Sequence, residues 1–148
     1  MGILGSIDTQ TFLKEYWQKK PLLIRNAFPD FTPPIDPDEI AGLACDEEVE
    51  CRLIFEEQQG KPWQLLNGPF DDETFEKLPN ENWTLLVQAL DQWVPEAADL
   101  LEAFTFIPRW RLDDTMVSFA PKGGSVGPHF DYYDVFLIQG LGQRKWQV

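Results

Sequence analysis

The most constraining stretch of this chain is an eight-residue loop, Pro121-Lys122-Gly123-Gly124-Ser125-Val126-Gly127-Pro128, set between two strand-patterned runs at residues 115–119 and 133–139. Five of its eight residues are glycine or proline, so no helix can run through it, and the chain must turn here between extended segments. Directly after the loop stands His129-Phe130-Asp131. In an extended strand successive side chains alternate between faces, which puts His129 and Asp131 on one face and Phe130 on the other. An imidazole and a carboxylate side by side are two of the three donors of a 2-His-1-carboxylate triad, an arrangement that holds iron(II) and leaves positions open for substrate and oxygen. A lone histidine is ordinarily a packed or hydrogen-bonded residue, so this expectation draws its weight from the surrounding pattern. The glycines permit close backbone approach at the mouth of such a site.

The rest of the chain reads as short helices and strands. Asp8 is placed to cap a helix whose apolar residues Phe12, Leu13, Tyr16 and Trp17 share a face, with Pro21 ending it and a short strand expected at Leu22-Leu23-Ile24. Asp36-Pro37-Asp38-Glu39 combines a cap, a first-turn proline and an acid three after the cap, which predicts a helix to about Ala44. Residues 52–55 and 63–66 are expected as strands joined by the turn-forming 58–62. Trp83, Leu86, Val87, Leu90 and Trp93 recur at helical spacing up to Pro95, and residues 97–104 offer another short helix. Arg144 to Val148 reads as the start of a further strand after the turn Gly140-Leu141-Gly142.

Composition narrows the function classes. The net charge of −13 disfavours nucleic acid as a partner, because binding it means neutralising phosphates with Lys and Arg; an acidic surface suits a basic protein instead. Two cysteines without a CxxC motif point to free thiols in a reducing compartment. With no basic, apolar leader and no apolar run near the ~18 residues of a membrane span, a cytoplasmic protein without membrane contact is the expectation.

The run from Val117 through Gly127-Pro128-His129-Phe130-Asp131-Tyr132-Tyr133-Asp134-Val135-Phe136 to Trp146 resembles the JmjC-type oxygenases of the cupin superfamily, in the branch of the bacterial ribosomal oxygenases. Trp17-Gln18-Lys19-Lys20-Pro21, Asn67-Gly68-Pro69-Phe70, Asn82-Trp83-Thr84-Leu85-Leu86 and Pro108-Arg109-Trp110-Arg111 extend the resemblance over nearly the whole chain. It implies an α+β protein in which residues 1–95 form a helical and stranded N-terminal region, and 96–148 the first part of an incomplete double-stranded β-helix, or jelly roll. It further implies that His129 and Asp131 are iron(II) ligands and catalytic residues. Arg144 would bind the distal carboxylate of the cosubstrate 2-oxoglutarate, and Ser118 would lie near that cosubstrate. A guanidinium fork suits a carboxylate, and Arg144 shares strand parity with Trp146 and Val148 while Lys145 points to the other side. Tyr133 and Asp134 are expected to shape the substrate channel.

The implied activity is O2-dependent hydroxylation of an arginine in a large-subunit ribosomal protein, by a parent that forms a homodimer. One departure stands out: His129 is the only histidine, whereas the triad needs two. The second is expected downstream of the motif, in a longer protein of which this chain is an N-terminal fragment, inactive by itself. The competing expectation is a non-catalytic cupin-like module that binds a protein partner. A cupin of other metal chemistry is disfavoured by the single histidine.

Overall fold

The computed structural model describes residues 3–57 and 60–148, so residues 58 and 59 of the turn expected at 58–62 lie outside it. By its contacts the chain divides into two units, residues 34–129 and residues 1–33 with 130–148.

The unit of residues 34–129 is built on a four-stranded antiparallel sheet. Its strands are β1 (Cys51–Phe55), β2 (Gln64–Asn67), β3 (Thr84–Val87) and β4 (Val117–Phe119), in the order β2-β1-β3-β4. Register sets the two faces. Cys51 lies opposite Val87 and Val87 opposite Val117; Leu53 lies opposite Leu85 and Leu85 opposite Phe119. These pairs form an apolar face that packs with Ile35, Ile40, Ala44, Val49, Leu90 and Ala97 into one core. Burying such side chains contributes on the order of 1.5–3 kcal/mol each. The other face carries Arg52, Leu86 and Ser118 in a row across three strands, and Ile54 opposite Thr84.

Helices α2 (Pro37–Leu43), α3 (Asp72–Glu76) and α4 (Pro95–Leu101) surround the sheet in sequence. α2 begins as its sequence predicts: the Asp36 carboxylate accepts from the Glu39 N–H at 2.9 Å, and the Glu39 carboxylate accepts from the Asp36 N–H at 2.9 Å. The two groups satisfy amides that a helix start leaves without partners. α3 was not expected. Asp71 caps it by accepting from the Thr74 N–H, with Asp72 and Glu73 in the first turn, where the helix dipole favours acids.

Residues 83–93 correct the sequence expectation. They hold the central strand β3 and a 3-10 turn at Leu90–Gln92 in place of a helix. A strand paired on both sides and buried reads as a continuous apolar run, which periodicity cannot tell from helix. Here β1 and β4 supply hydrogen-bonding partners on both edges, and that decides the outcome. The junction is held by side chains: Asp114 accepts from the Ala89 N–H at 2.8 Å and Asp91 from the Thr115 N–H at 2.7 Å.

In the unit of residues 1–33 and 130–148, α1 (Thr9–Glu15) starts at the expected cap, with Asp8 accepting from the Thr11 N–H at 2.9 Å. Phe12 is buried among aromatic rings, its centroid 6.0 Å from Trp17 and 6.1 Å from Phe136; Trp17 stacks on Phe136 at 5.8 Å. The strands expected at 22–24, 133–139 and 144–148 are not formed. A strand needs a partner for its N–H and C=O groups, and the described residues provide none for these segments. Leu23, Tyr133, Leu137 and Leu141 are exposed accordingly. No helix among the described residues is long and apolar enough to cross a membrane.

Two outcomes test this packing. Thr84 is fully buried, and its hydroxyl has no hydrogen-bond partner among the described residues. Thr84→Val removes an unsatisfied polar group at nearly constant shape and should raise stability by about 1 kcal/mol in urea unfolding; a loss of similar size would contradict the environment described. Donation from Thr11 to Asp8, and from Thr74 to Asp71, holds both carboxyls below their ordinary value of 3.8. Carboxyls lowered on folding stabilise above the unfolded value, and that contribution is lost as pH falls below 3.8 through the folded values. Denaturant midpoints should therefore decline as pH falls below 3.8, and less steeply in a variant combining Asp8→Asn and Asp71→Asn.

Candidate functional site

The loop that leads to His129 leaves β4 at Phe119 and is seated by its glycines. Gly123 has φ +76°, and a Cβ there would lie 2.1 Å from Asn82 Oδ1; a Cβ on Gly124 would lie 2.1 Å from the Trp83 carbonyl oxygen. At Gly124 the close atom is backbone and cannot yield, and at Gly123 the left-handed φ itself favours glycine. The Asn82 N–H donates to the Lys122 carbonyl at 3.0 Å, and the Gly124 N–H to the Pro121 carbonyl at 3.0 Å. The close approach expected of the glycine loop is thus an approach to the chain's own backbone at the entrance to β3.

Gly127 has φ +70°, and its N–H donates to Ser125 Oγ at 2.9 Å. Two residues on, His129 Nδ1 lies 2.9 Å from the Gly127 carbonyl oxygen. A carbonyl oxygen only accepts, so the contact is a hydrogen bond when Nδ1 carries a proton. In that tautomer one ring nitrogen is held by a backbone carbonyl, the arrangement common among metal-ligating histidines. His129 is exposed.

His129 closes one unit and Asp131 belongs to the other, so each is described in its own setting. Neither lies in a regular strand, and Phe130, expected to pack, is exposed with its ring edge-on to Tyr132 at 5.3 Å. Asp131 is exposed. Asp134 accepts from Gln18 Nε2 at 3.2 Å, which ties it to the segment after α1. Arg144 is half-buried with its guanidinium carbon 5.6 Å from the centroid of Trp146, the apolar neighbour its parity named; Lys145 is exposed. Ser118 is exposed on the β4 face that also carries Leu86 and Arg52. Trp63, whose indole lies 2.2 Å from where a Cβ on Gly127 would sit, and Asn82 were given no part in the site by the sequence reading. The glycines announced a close approach without naming what approaches.

Iron(II) bound by a facial triad needs three protein donors. The chain has one histidine, and among the described residues no three His, Cys, Asp or Glu side chains come together to hold a metal ion. The 148 residues therefore do not furnish a complete triad by themselves.

Known proteins resemble this chain over most of its length. A profile described as "JmjC domain" matches residues 99–148. A "Probable ribosomal oxygenase" of Haemophilus influenzae is 50% identical over 142 residues, 96% of this chain and 35% of the relative. The "Ribosomal protein uL16 3-hydroxylase" of Escherichia coli is 50% identical over 143 residues, 97% of this chain and 37% of the relative. The solved structure of YcfD, a ribosomal oxygenase from Escherichia coli, superposes with a TM-score of 0.79 at 44% identity over 85% of this chain and 34% of that one. The same protein was solved in complex with cobalt and 2-oxoglutarate. The mixed helix and antiparallel-sheet architecture expected from the sequence agrees with that match. The resemblance read from the sequence is thereby borne out: the chain is similar to the JmjC-domain ribosomal oxygenases over nearly all of its own residues, and spans about a third of the length of these relatives.

Proposed function

We propose that this chain supplies the first two metal ligands, His129 and Asp131, of a 2-oxoglutarate-dependent protein hydroxylase that acts on a ribosomal protein. What carries the reading is His129-Phe130-Asp131, set behind the seated glycine loop in a chain half identical to a uL16 3-hydroxylase. In this reading the metal is iron(II), and residues 96–148 open the barrel that residues 1–95 precede. The reaction takes O2, 2-oxoglutarate and an arginine C–H bond to succinate, CO2 and a hydroxylated side chain. Arg144 holds the distal carboxylate of 2-oxoglutarate by a bidentate pair, and Ser118 lies near that cosubstrate. A cytoplasmic, homodimeric parent and a basic protein substrate belong to the same proposal; the net charge of −13 complements such a target.

For the 148 residues alone, absence of turnover and a tendency to associate are the expected behaviour. Two protein donors hold a metal weakly, and the edge strand β2 exposes Leu65 and Leu66. These observations favour the non-catalytic reading for the isolated polypeptide only. The missing donor is then a second histidine, contributed by sequence beyond residue 148 of a longer parent.

Succinate formation from 2-oxoglutarate with added iron(II) tests both parts. The longer parent should turn over, His129→Ala or Asp131→Ala should abolish turnover, and Arg144→Ala should raise KM for 2-oxoglutarate roughly 10- to 100-fold, the loss of a charged bidentate contact. The 148-residue chain should give no succinate. Turnover by the chain alone would refute its inactivity, and full activity of the His129→Ala parent would refute the ligand assignment.

A further inference from the structure

We infer that Trp63 is a positioning residue for His129, acting through Gly127. This rests on the reading of His129 as a metal ligand, but the contact itself does not depend on a metal. A Cβ built on Gly127 would lie 2.2 Å from Trp63 Cη2 and 2.3 Å from Cζ2, so the indole rests directly on the Gly127 backbone. Trp63 is 43% exposed and stands outside the core cluster of this unit. Replacing it removes the cover over Gly127 without opening the core cluster.

The lever is short. Trp63 immediately precedes β2, whose register against β1 is fixed from Phe55 opposite Gln64 to Arg52 opposite Asn67. The sheet thus anchors the indole from below. The indole covers Gly127, and Gly127 presents the carbonyl that takes the His129 Nδ1 proton at 2.9 Å. Gly127 is held in the left-handed region at φ +70°, and Ser125 Oγ accepts from its N–H at 2.9 Å. The hydroxyl holds the peptide before Gly127, and the indole against the Gly127 backbone restricts how the carbonyl after it can turn. A loop of this composition would otherwise sample many orientations, since glycine is the residue with the most backbone freedom to lose. Trp63 therefore helps to place the carbonyl against which His129 Nδ1 rests, and so favours the Nδ1–H form of the ring.

The only histidine in the chain makes the test unambiguous, because a long-range 15N–1H correlation spectrum shows a single imidazole. In alkaline buffer, where imidazoles are neutral, the wild-type ring should show Nδ1 as the protonated, pyrrole-type nitrogen and Nε2 as the pyridine-type one. Trp63→Ala should move the tautomer ratio roughly fivefold toward the Nε2–H form that predominates in water, the size expected for one hydrogen bond loosened. Trp63→Phe, which keeps an aromatic face over Gly127, should retain the wild-type pattern. Gly127→Ala should disturb the ring in either background, because φ +70° strains any side chain there with or without the indole.

Unchanged amide signals of Leu53 and Leu85 report an intact sheet. Trp63→Leu carries the same comparison should Trp63→Ala disturb them. A wild-type tautomer ratio in both Trp63→Ala and Trp63→Leu overturns the inference, as does equal loss in Trp63→Phe. The spectra are recorded without metal, so a failure of the metal-ligand reading leaves this result standing, and the reverse also holds.

Discussion

The structure around His129 depends on one steric constraint: the backbone at Gly123 and Gly124 touches Asn82 and Trp83 too closely for any side chain to intervene. Asn82 and Trp83 directly precede β3, the strand paired on both sides at the centre of the sheet. The loop is therefore seated against the entrance to a strand that is hydrogen-bonded on both edges. β4 enters the loop from the same sheet, in register with β3 at Leu85–Phe119 and Val87–Val117. Both supports thus belong to one hydrogen-bonded ladder. A loop carrying a ligand needs this kind of support, since a site built on an unsupported loop is imprecise.

Much of the local structure was legible because its causes are local. Asp8 and Asp36 announce helix starts by side chains that can reach only nearby amides, and both helices begin there. Residues 51–55 and 64–67 form strands close to where β-favouring runs flank a turn. β3 was misread because Trp83, Leu86, Val87, Leu90 and Trp93 satisfy a helical period as well as an apolar run, and only the neighbouring strands decide between them. α3 went unread although Asp71-Asp72-Glu73-Thr74 carries a cap and an acidic first turn, because its five residues are too few to display a periodic apolar face. Residues 133–139 have strand composition and no strand, which separates propensity from pairing: an extended run needs a hydrogen-bonding neighbour.

The site divides along the same line. His129, Asp131 and Arg144 could be named because their chemistry is carried by residue type and by resemblance to a family. Trp63 could not, because its part is a contact across 64 positions in sequence that no local pattern encodes. The single histidine was an equally plain sequence signal. Relatives about three times as long leave ample sequence from which a further donor is proposed to come.

The central proposal is that His129 and Asp131 both bind one divalent cation. Titrating cobalt(II) into the 148-residue chain, while recording the His129 ring and Asp131 side-chain resonances, measures it directly. The account predicts paramagnetic shifts that grow at both residues with one apparent Kd, and that vanish from the His129 ring in Asp131→Ala. A His129 ring that responds to cobalt identically in wild type and Asp131→Ala, or shifts confined to one of the two residues, would contradict it.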